Sequence, residues 1–185
     1  MHSTELHAHD SWEAGNLEQA LSLFLSAFRS GSKSCAINIG YFYDEGLGRP
    51  KSKSSALFWY QQAHLYGDSS AATNAAIICR ERHQLKRMFS WYRKACRRDD
   101  GDAELDIAKC FVCGIGVVRS RARAIEHLQR ALKSNHITQA GKEEALFLHR
   151  RLTGRSTRTP RQAMPSAFSW PAAVPSALRA PAPVN

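Results

Sequence analysis

Four stretches of the chain place apolar or ring side chains at i, i+3, i+4 and i+7, the spacing of one stripe along an α-helix. They are Ala20, Leu23, Phe24 and Ala27; Ala56, Trp59, Tyr60 and Ala63; Met88, Trp91, Tyr92 and Ala95; and Ala124, His127, Leu128 and Ala131. The closing alanines lie 36, 32 and 36 residues apart. A period in this range marks a stacked array of supersecondary units. One helical hairpin cannot bury both its faces, so each copy must cover its stripe with the next. A second series of small residues, Gly40, Ala76, Ala108 and Ala145, keeps step with the first and permits close helix approach.

Punctuation between the stripes sets the elements. The first long helix is predicted over 16–30, with Asn16 as N-cap and Gly31 as its stop. A helix over 34–45 ends at Gly46-Leu47-Gly48, with Pro50 beyond, a stop-and-turn signal. Ser54 or Ser55 is expected to cap the following helix, which ends at Gly67. The pattern returns at 103–133: Ile107-Ala108 stands for Ile39-Gly40, Phe111 for Tyr43, and Gly114-Ile115-Gly116 for the first glycine turn. Between them, 70–98 forms a variant pair without the glycines. Its connection is four residues shorter, which accounts for the 32-residue step. A last helix over 139–152 has no partner behind it and caps the array.

The expected fold is therefore all-α, a right-handed α-α solenoid of helical hairpin repeats with a disordered C-terminal tail. Residues 1–14 are an N-terminal extension, either frayed or a short helical remnant packing on the first repeat. The repeat domain spans 15–152, with copies at about 15–33, 34–69, 70–101 and 102–138 and a capping helix at 139–152. From 153 the chain holds six of its seven prolines, four arginines and no acidic residue. Such a segment cannot bury enough apolar surface to order itself.

Charge and cysteine usage narrow the setting. The net charge is +10, from 26 Lys and Arg against 16 Asp and Glu, which favours acidic partners but does not bear on fold. No apolar run approaches a membrane span, the first residues do not form a secretory signal, and five cysteines show no disulfide framework. A reduced, cytoplasmic setting without membrane association is expected. Cys110-x-x-Cys113 has zinc-ligand spacing, but a structural zinc site needs four ligands and no second pair exists, so no metal is expected. Gly46-x-Gly48 and Gly114-x-Gly116 lack the rest of a phosphate-binding fingerprint and a preceding strand, and no nucleophile or carboxylate-pair constellation stands at a recognisable spacing. The expectation is no enzyme and no cofactor.

The repeated residues carry a resemblance. Ile39-Gly40-x-x-Tyr43-x-x-Gly46-Leu47-Gly48, followed by Ala56-x-x-Trp59-Tyr60-x-x-Ala63-x-x-x-Gly67, resembles the Sel-one-like repeat (SLR), a longer-looped relative of the tetratricopeptide repeat. The copy around Ile107-Ala108, Phe111, Gly114-Ile115-Gly116, Ala124 and Ala131 is similar, and the resemblance covers about 15–152. It implies a non-catalytic adaptor that binds another protein or peptide, as in bacterial and eukaryotic signalling, quality control and secretion. One secreted, disulfide-bonded branch pairs a Cys at the end of the second helix with another eight residues on. Cys96 matches the first of these, but Glu104 stands at the second, so this chain falls outside that branch.

By analogy with tetratricopeptide units, the partner-binding residues flank the small position on the concave face. That selects Ile37, Tyr41 and Asp44; Thr73, Ile77 and Arg80; and Leu105, Lys109 and Val112. Two further functions stay open. One is an immunity-type protein that neutralises a toxin by occlusion. The other is a nucleic-acid-associated helical repeat using the basic clusters at 80–98 and 119–130, since phosphate contacts need only Lys and Arg.

Overall fold

The computed structural model describes residues 2–154; the segment 155–185, expected from its composition to be a disordered tail, lies outside them. The described residues form nine α-helices and no strand: α1 (His2–Glu13), α2 (Leu17–Arg29), α3 (Cys35–Glu45), α4 (Lys53–Leu65), α5 (Ala71–Glu81), α6 (Leu85–Cys96), α7 (Gly101–Cys113), α8 (Arg121–Lys133) and α9 (Gln139–Thr153). They divide into two compact units at the turn between α5 and α6, with Gln84 in the first and Leu85 in the second.

In the first unit each helix packs on the next in the chain. Its core joins Ala8 of α1, Ala20, Leu21, Phe24 and Ala27 of α2, and Cys35, Ile39 and Phe42 of α3. Trp12 closes it edge-on, 5.1 Å from the Phe42 ring and 6.1 Å from that of Phe24. Helix α1 thus forms a hairpin with α2. Its sequence carries no apolar stripe because its inward contacts come from Ala8, His9 and Trp12, with the His9 ring 5.0 Å from Phe24, while Leu6 is exposed.

The second unit is built in the same manner around Leu105, Ala108, Leu128, Ala131, Ala145 and Leu148, contributed by α7, α8 and α9. The starts of α7 and α9 are tied by Asp102, whose carboxylate accepts from the Thr138 amide at 3.0 Å and the Thr138 hydroxyl at 2.8 Å. Thr138 in turn caps α9 by accepting from the Gly141 amide at 3.0 Å.

Within the stripes the i, i+4 and i+7 positions are buried in all four copies: Ala20, Phe24 and Ala27; Ala56, Tyr60 and Ala63; Met88, Tyr92 and Ala95; Ala124, Leu128 and Ala131. The i+3 position is half-buried at Leu23, Trp59 and His127. Small residues face these stripes. A Cβ on Gly40 would lie 2.7 Å from the Tyr60 ring, so the glycine sets how closely α3 and α4 approach.

The helix ends explain two departures from the sequence expectation. Helix α4 is capped by Ser52, which accepts from the Ser55 amide at 3.3 Å, and not by Ser54 or Ser55. Those two serines already lie in the first turn, and the Ser55 hydroxyl pairs with that of Ser52. Asn16 makes no side-chain cap bond to α2. At the other end, Gly46 and Gly114 adopt left-handed conformations and donate to Phe42 and Cys110 carbonyls. The next bond is also shared: Ser52 N–H donates to the Tyr43 carbonyl at 2.8 Å, and Ser120 N–H to that of Phe111 at 3.0 Å. The two glycine turns are one device used twice.

The second glycine of each turn docks the loop on the preceding repeat. Gly48, at φ 65°, sits against the backbone of Leu17 and Glu18 at the start of α2; a Cβ there would come within 2.6 Å of both. Gly116, at φ 71°, sits likewise against the Leu85 carbonyl at the start of α6. Ala at either position meets left-handed backbone strain of about 1–2 kcal/mol and a clash with immovable backbone, typically about 1–3 kcal/mol more. Gly48→Ala and Gly116→Ala are each expected to lower unfolding free energy in urea by about 3 kcal/mol. Gly15→Ala, at φ 78° with nothing within 4 Å of the added Cβ, should lose only about 1 kcal/mol.

Candidate interaction surface

The nine expected partner-binding residues fall on α3, α5 and α7. Ile37, Tyr41 and Asp44 lie on α3, and Thr73, Ile77 and Arg80 on α5, both in the first unit. Leu105, Lys109 and Val112 lie on α7 in the second. Six are partly exposed: Ile37, Tyr41, Thr73, Ile77, Arg80 and Val112. Their neighbours hold them in place. Ile37 packs against the small cluster of Ala36, Ala63 and Ala71. The Tyr41 ring lies 5.8 Å from that of Trp12. The Val112 carbonyl accepts from Arg119 Nε at 3.0 Å.

The other three are buried, each within its own unit. Asp44 is 5% exposed. Its carboxylate lies 2.6 Å from Lys53 Nζ and accepts from the Tyr60 hydroxyl at 3.3 Å. Lys53 also reaches Glu81, at 2.7 Å, so one ammonium links α3, α4 and α5. Lys109 is 5% exposed and pairs with Glu144 at 2.6 Å and with Asp106 at 3.6 Å, joining α7 to α9. Leu105, 3% exposed, belongs to the core of the second unit. Their partners, Lys53, Glu81 and Glu144, lie on other helices, so periodicity along a single helix does not reveal the pairing. A third such link, His127 Nδ1 to Glu104 at 2.5 Å, joins α8 to α7, with the imidazole stacked on Phe111.

Cys35, Cys96 and Tyr60 are held toward their protonated forms. Burial, and then the charge of Glu5 and a hydrogen bond to it, push the Cys35 thiol up to about 12. Burial and the charges of Glu104 and Asp100 push Cys96 up in the same direction, with a hydrogen bond to Glu104. The residue at the second cysteine position of the disulfide-bonded branch therefore lies beside Cys96, and all five cysteines are free thiols. Cys110 is buried in α7 and Cys113 ends that helix, half-exposed. Burial and the Asp44 charge raise the Tyr60 hydroxyl, and burial with Glu45 and Asp44 raises Tyr41. For Lys53, burial favours the neutral amine, but hydrogen bonds and charge from Asp44 and Glu81 outweigh it and raise the group.

The cationic clusters differ between helices. On the α7–α8 loop and α8, Arg119 and Arg121 hold the carbonyls of Val112 and Leu152, Arg123 lies over Phe111, and Arg130 pairs with Glu126. On α6, Lys94 lies 3.5 Å from the Trp91 ring centroid. Lys86 and Arg93 on the same helix, and Arg97 just after its end, are exposed.

Two consequences are measurable. Every raised group binds its proton more tightly in the folded chain. Its contribution to stability is therefore complete below the unfolded value and is lost as pH rises through the folded one. With ordinary values of 9.0 for Cys35 and Cys96, 10.0 for Tyr41 and Tyr60, and 10.5 for Lys53, this part of the stability is intact at neutral pH. It should fall progressively above pH 9, which a urea series at stepped pH reads directly. At pH 7, Asp44→Ala is expected to lose about 2–3 kcal/mol, since it removes the buried one of the two carboxylates on Lys53 and strands the Tyr60 hydroxyl. Lys51→Ala, which removes only an exposed pair with Glu45 at 3.8 Å, should stay within about 0.5 kcal/mol.

Comparison with known proteins agrees with this geometry. The Sel1 repeat family profile matches residues 33–63, 89–100 and 101–136. The unmatched interval includes α5 and its turn, where the glycine pair is missing. A crystal structure of a Sel1 repeat protein from Oxalobacter formigenes is similar at a TM-score of 0.69 and 25% identity, over 83% of this chain and 64% of that one. A crystal structure of c5321, a protective antigen present in uropathogenic Escherichia coli strains and displaying an SLR fold, is similar at a TM-score of 0.54 and 16% identity. That match covers 72% of this chain and 40% of the other, and bears on fold alone. The chain spans less than two thirds of the length of either protein. No helix among the described residues is long and apolar enough to cross a membrane.

Proposed function

We propose that this chain, a protein built of Sel1 repeats, is a non-catalytic scaffold that holds a protein or peptide on the exposed faces of its A helices, α3 and α5 in the first unit or α7 in the second. Proteins with these repeats generally serve protein–protein interaction. The observation that carries the reading is the division of labour on α3, α5 and α7. Asp44, Leu105 and Lys109 are taken up by the core, while Ile37, Tyr41, Thr73, Ile77, Arg80 and Val112 keep an accessible edge of mixed polarity. Mixed apolar and polar faces of this kind suit an extended peptide or a helix. The shifts in titration favour a binding role over a chemical one, because Cys35, Cys96 and Tyr60 are pushed away from the ionised state a nucleophile needs.

The test is affinity capture from the native cell, repeated with Tyr41→Ala combined with Ile77→Asp. Both side chains are partly exposed, and helical circular dichroism checks the fold. Loss of a partner that the wild type retains, with affinity down by about tenfold or more, is expected. A partner set unchanged by the double substitution, or none at all, would overturn the A-helix reading. A single stoichiometric partner would mark the toxin-occluding version, and several would mark a general adaptor.

The α6 cations favour one alternative, an array that associates with nucleic acid through Lys86, Arg93 and Arg97. Its signature is affinity that falls linearly with log salt, with a slope tracking the phosphates neutralised. Absence of binding to RNA and DNA at low salt removes it.

A further inference from the structure

The outward face of α4 differs from the same face of every other stripe-bearing helix. Phe58 and Leu65 stand seven residues apart, on one side of α4, and are 52% and 74% exposed. Tyr66, at the helix end, is 50% exposed. The matching positions, two after the first and two after the last residue of the stripe, are Ser22 and Arg29 in α2, Ser90 in α6 and Arg97 just past its end, and Glu126 and Lys133 in α8. Three copies of one register carry polar groups where α4 carries a phenyl ring and a leucine. The repeat itself does not require apolar residues there, so its own packing does not explain them. Exposed apolar residues grouped on one face, unlike scattered single ones, mark a contact surface.

The patch continues inward as a ring cluster. Phe58 lies 5.4 Å from Trp59, Trp59 lies 5.0 Å from Phe28, and Phe28 lies 5.9 Å from Tyr66, each pair tilted edge to face. Lys33 Nζ sits 4.2 Å from the Phe28 centroid and 5.6 Å from that of Tyr66, and donates to the Phe28 carbonyl at 3.1 Å. No carboxylate pairs with Lys33 among the described residues. Asp68, the nearest acid after Tyr66 in the chain, is occupied by the amides of Ser70 and Ala71 at the start of α5.

We infer that this face of α4 binds an amphipathic helix of a partner protein, whose apolar side covers Phe58, Leu65 and Tyr66 and whose flanking carboxylate meets Lys33. Helical anchors spaced i and i+7 match the separation of Phe58 and Leu65. The charge argues for an acidic helix. A second copy would bring a net +10 chain against another. The chain's own segment beyond 153 holds four arginines and no acid, so it carries the same sign as Lys33. The inference does not rest on the A-helix surface.

The test uses the full chain and a labelled synthetic helix of about 18 residues with Leu and Phe on one face and Glu on the flanks, read by fluorescence anisotropy. A second helix with Lys in place of Glu is the control. Saturable binding of the acidic helix, at least about tenfold tighter than the basic one, is expected. Phe58→Ser with Leu65→Arg installs the residues that the α6 copy carries at these positions and should weaken binding about tenfold or more, with helical circular dichroism unchanged. Lys33→Glu should narrow or reverse the preference between the two helices. Equal binding of both helices, or affinity untouched by the α4 double substitution, would overturn the inference. So would a dimer in sedimentation that the double substitution dissolves, since a second copy would then be the occupant.

Discussion

The distance between paired helices depends on what stands between them, and here a missing side chain decides it. Gly40 lets α3 lie against the Tyr60 ring of α4 where even a methyl group would approach within 2.7 Å. In the second unit the same two positions hold Ala108 and Leu128, both in the core. One pair combines the smallest residue with a ring, the other a methyl with a branched chain. Volume is conserved across the contact although neither residue is. Close packing of this kind makes cores sensitive to single methylenes.

The polar contacts extend this packing between hairpins. Lys53 joins three helices through Asp44 and Glu81, and Lys109 ties α7 to α9 through Glu144. Asp44 and Lys109 are buried and each is met by an opposite charge, the condition under which burial is tolerated. The glycine turns add a second connection, seating each long loop on the helix of the repeat before it. The outer edges of α3, α5 and α7 and the outer face of α4 keep accessible side chains, and those are the surfaces proposed for partners.

Most of the fold was legible because the period is carried by residues that must be small or apolar in every copy. Helices α4 to α9 lie close to where stripe and punctuation put them. Helix α1 was ambiguous, since Ala8 and Trp12 alone form no stripe. The capping of α4 shifted from Ser54 or Ser55 to Ser52 because three nearby serines compete and only geometry ranks them. For the candidate surface, sequence placed each residue on a helix but did not give its depth. Asp44, Lys109 and Leu105 are covered by residues far away in the chain, which no local pattern encodes. The α4 face was readable in principle: Phe58 and Leu65 break a polar register that the other three copies keep.

The interlock of small residue and ring admits a direct measurement, a double-mutant cycle on Gly40→Ala and Tyr60→Leu followed by urea unfolding. Together the two substitutions convert the first unit's pair into the Ala and Leu pair already used in the second. The account predicts that Tyr60→Leu offsets much of the loss caused by Gly40→Ala, with a coupling energy of about 1 kcal/mol or more. Additive losses would show that these positions do not govern each other, and would contradict the packing rule from which the array is derived.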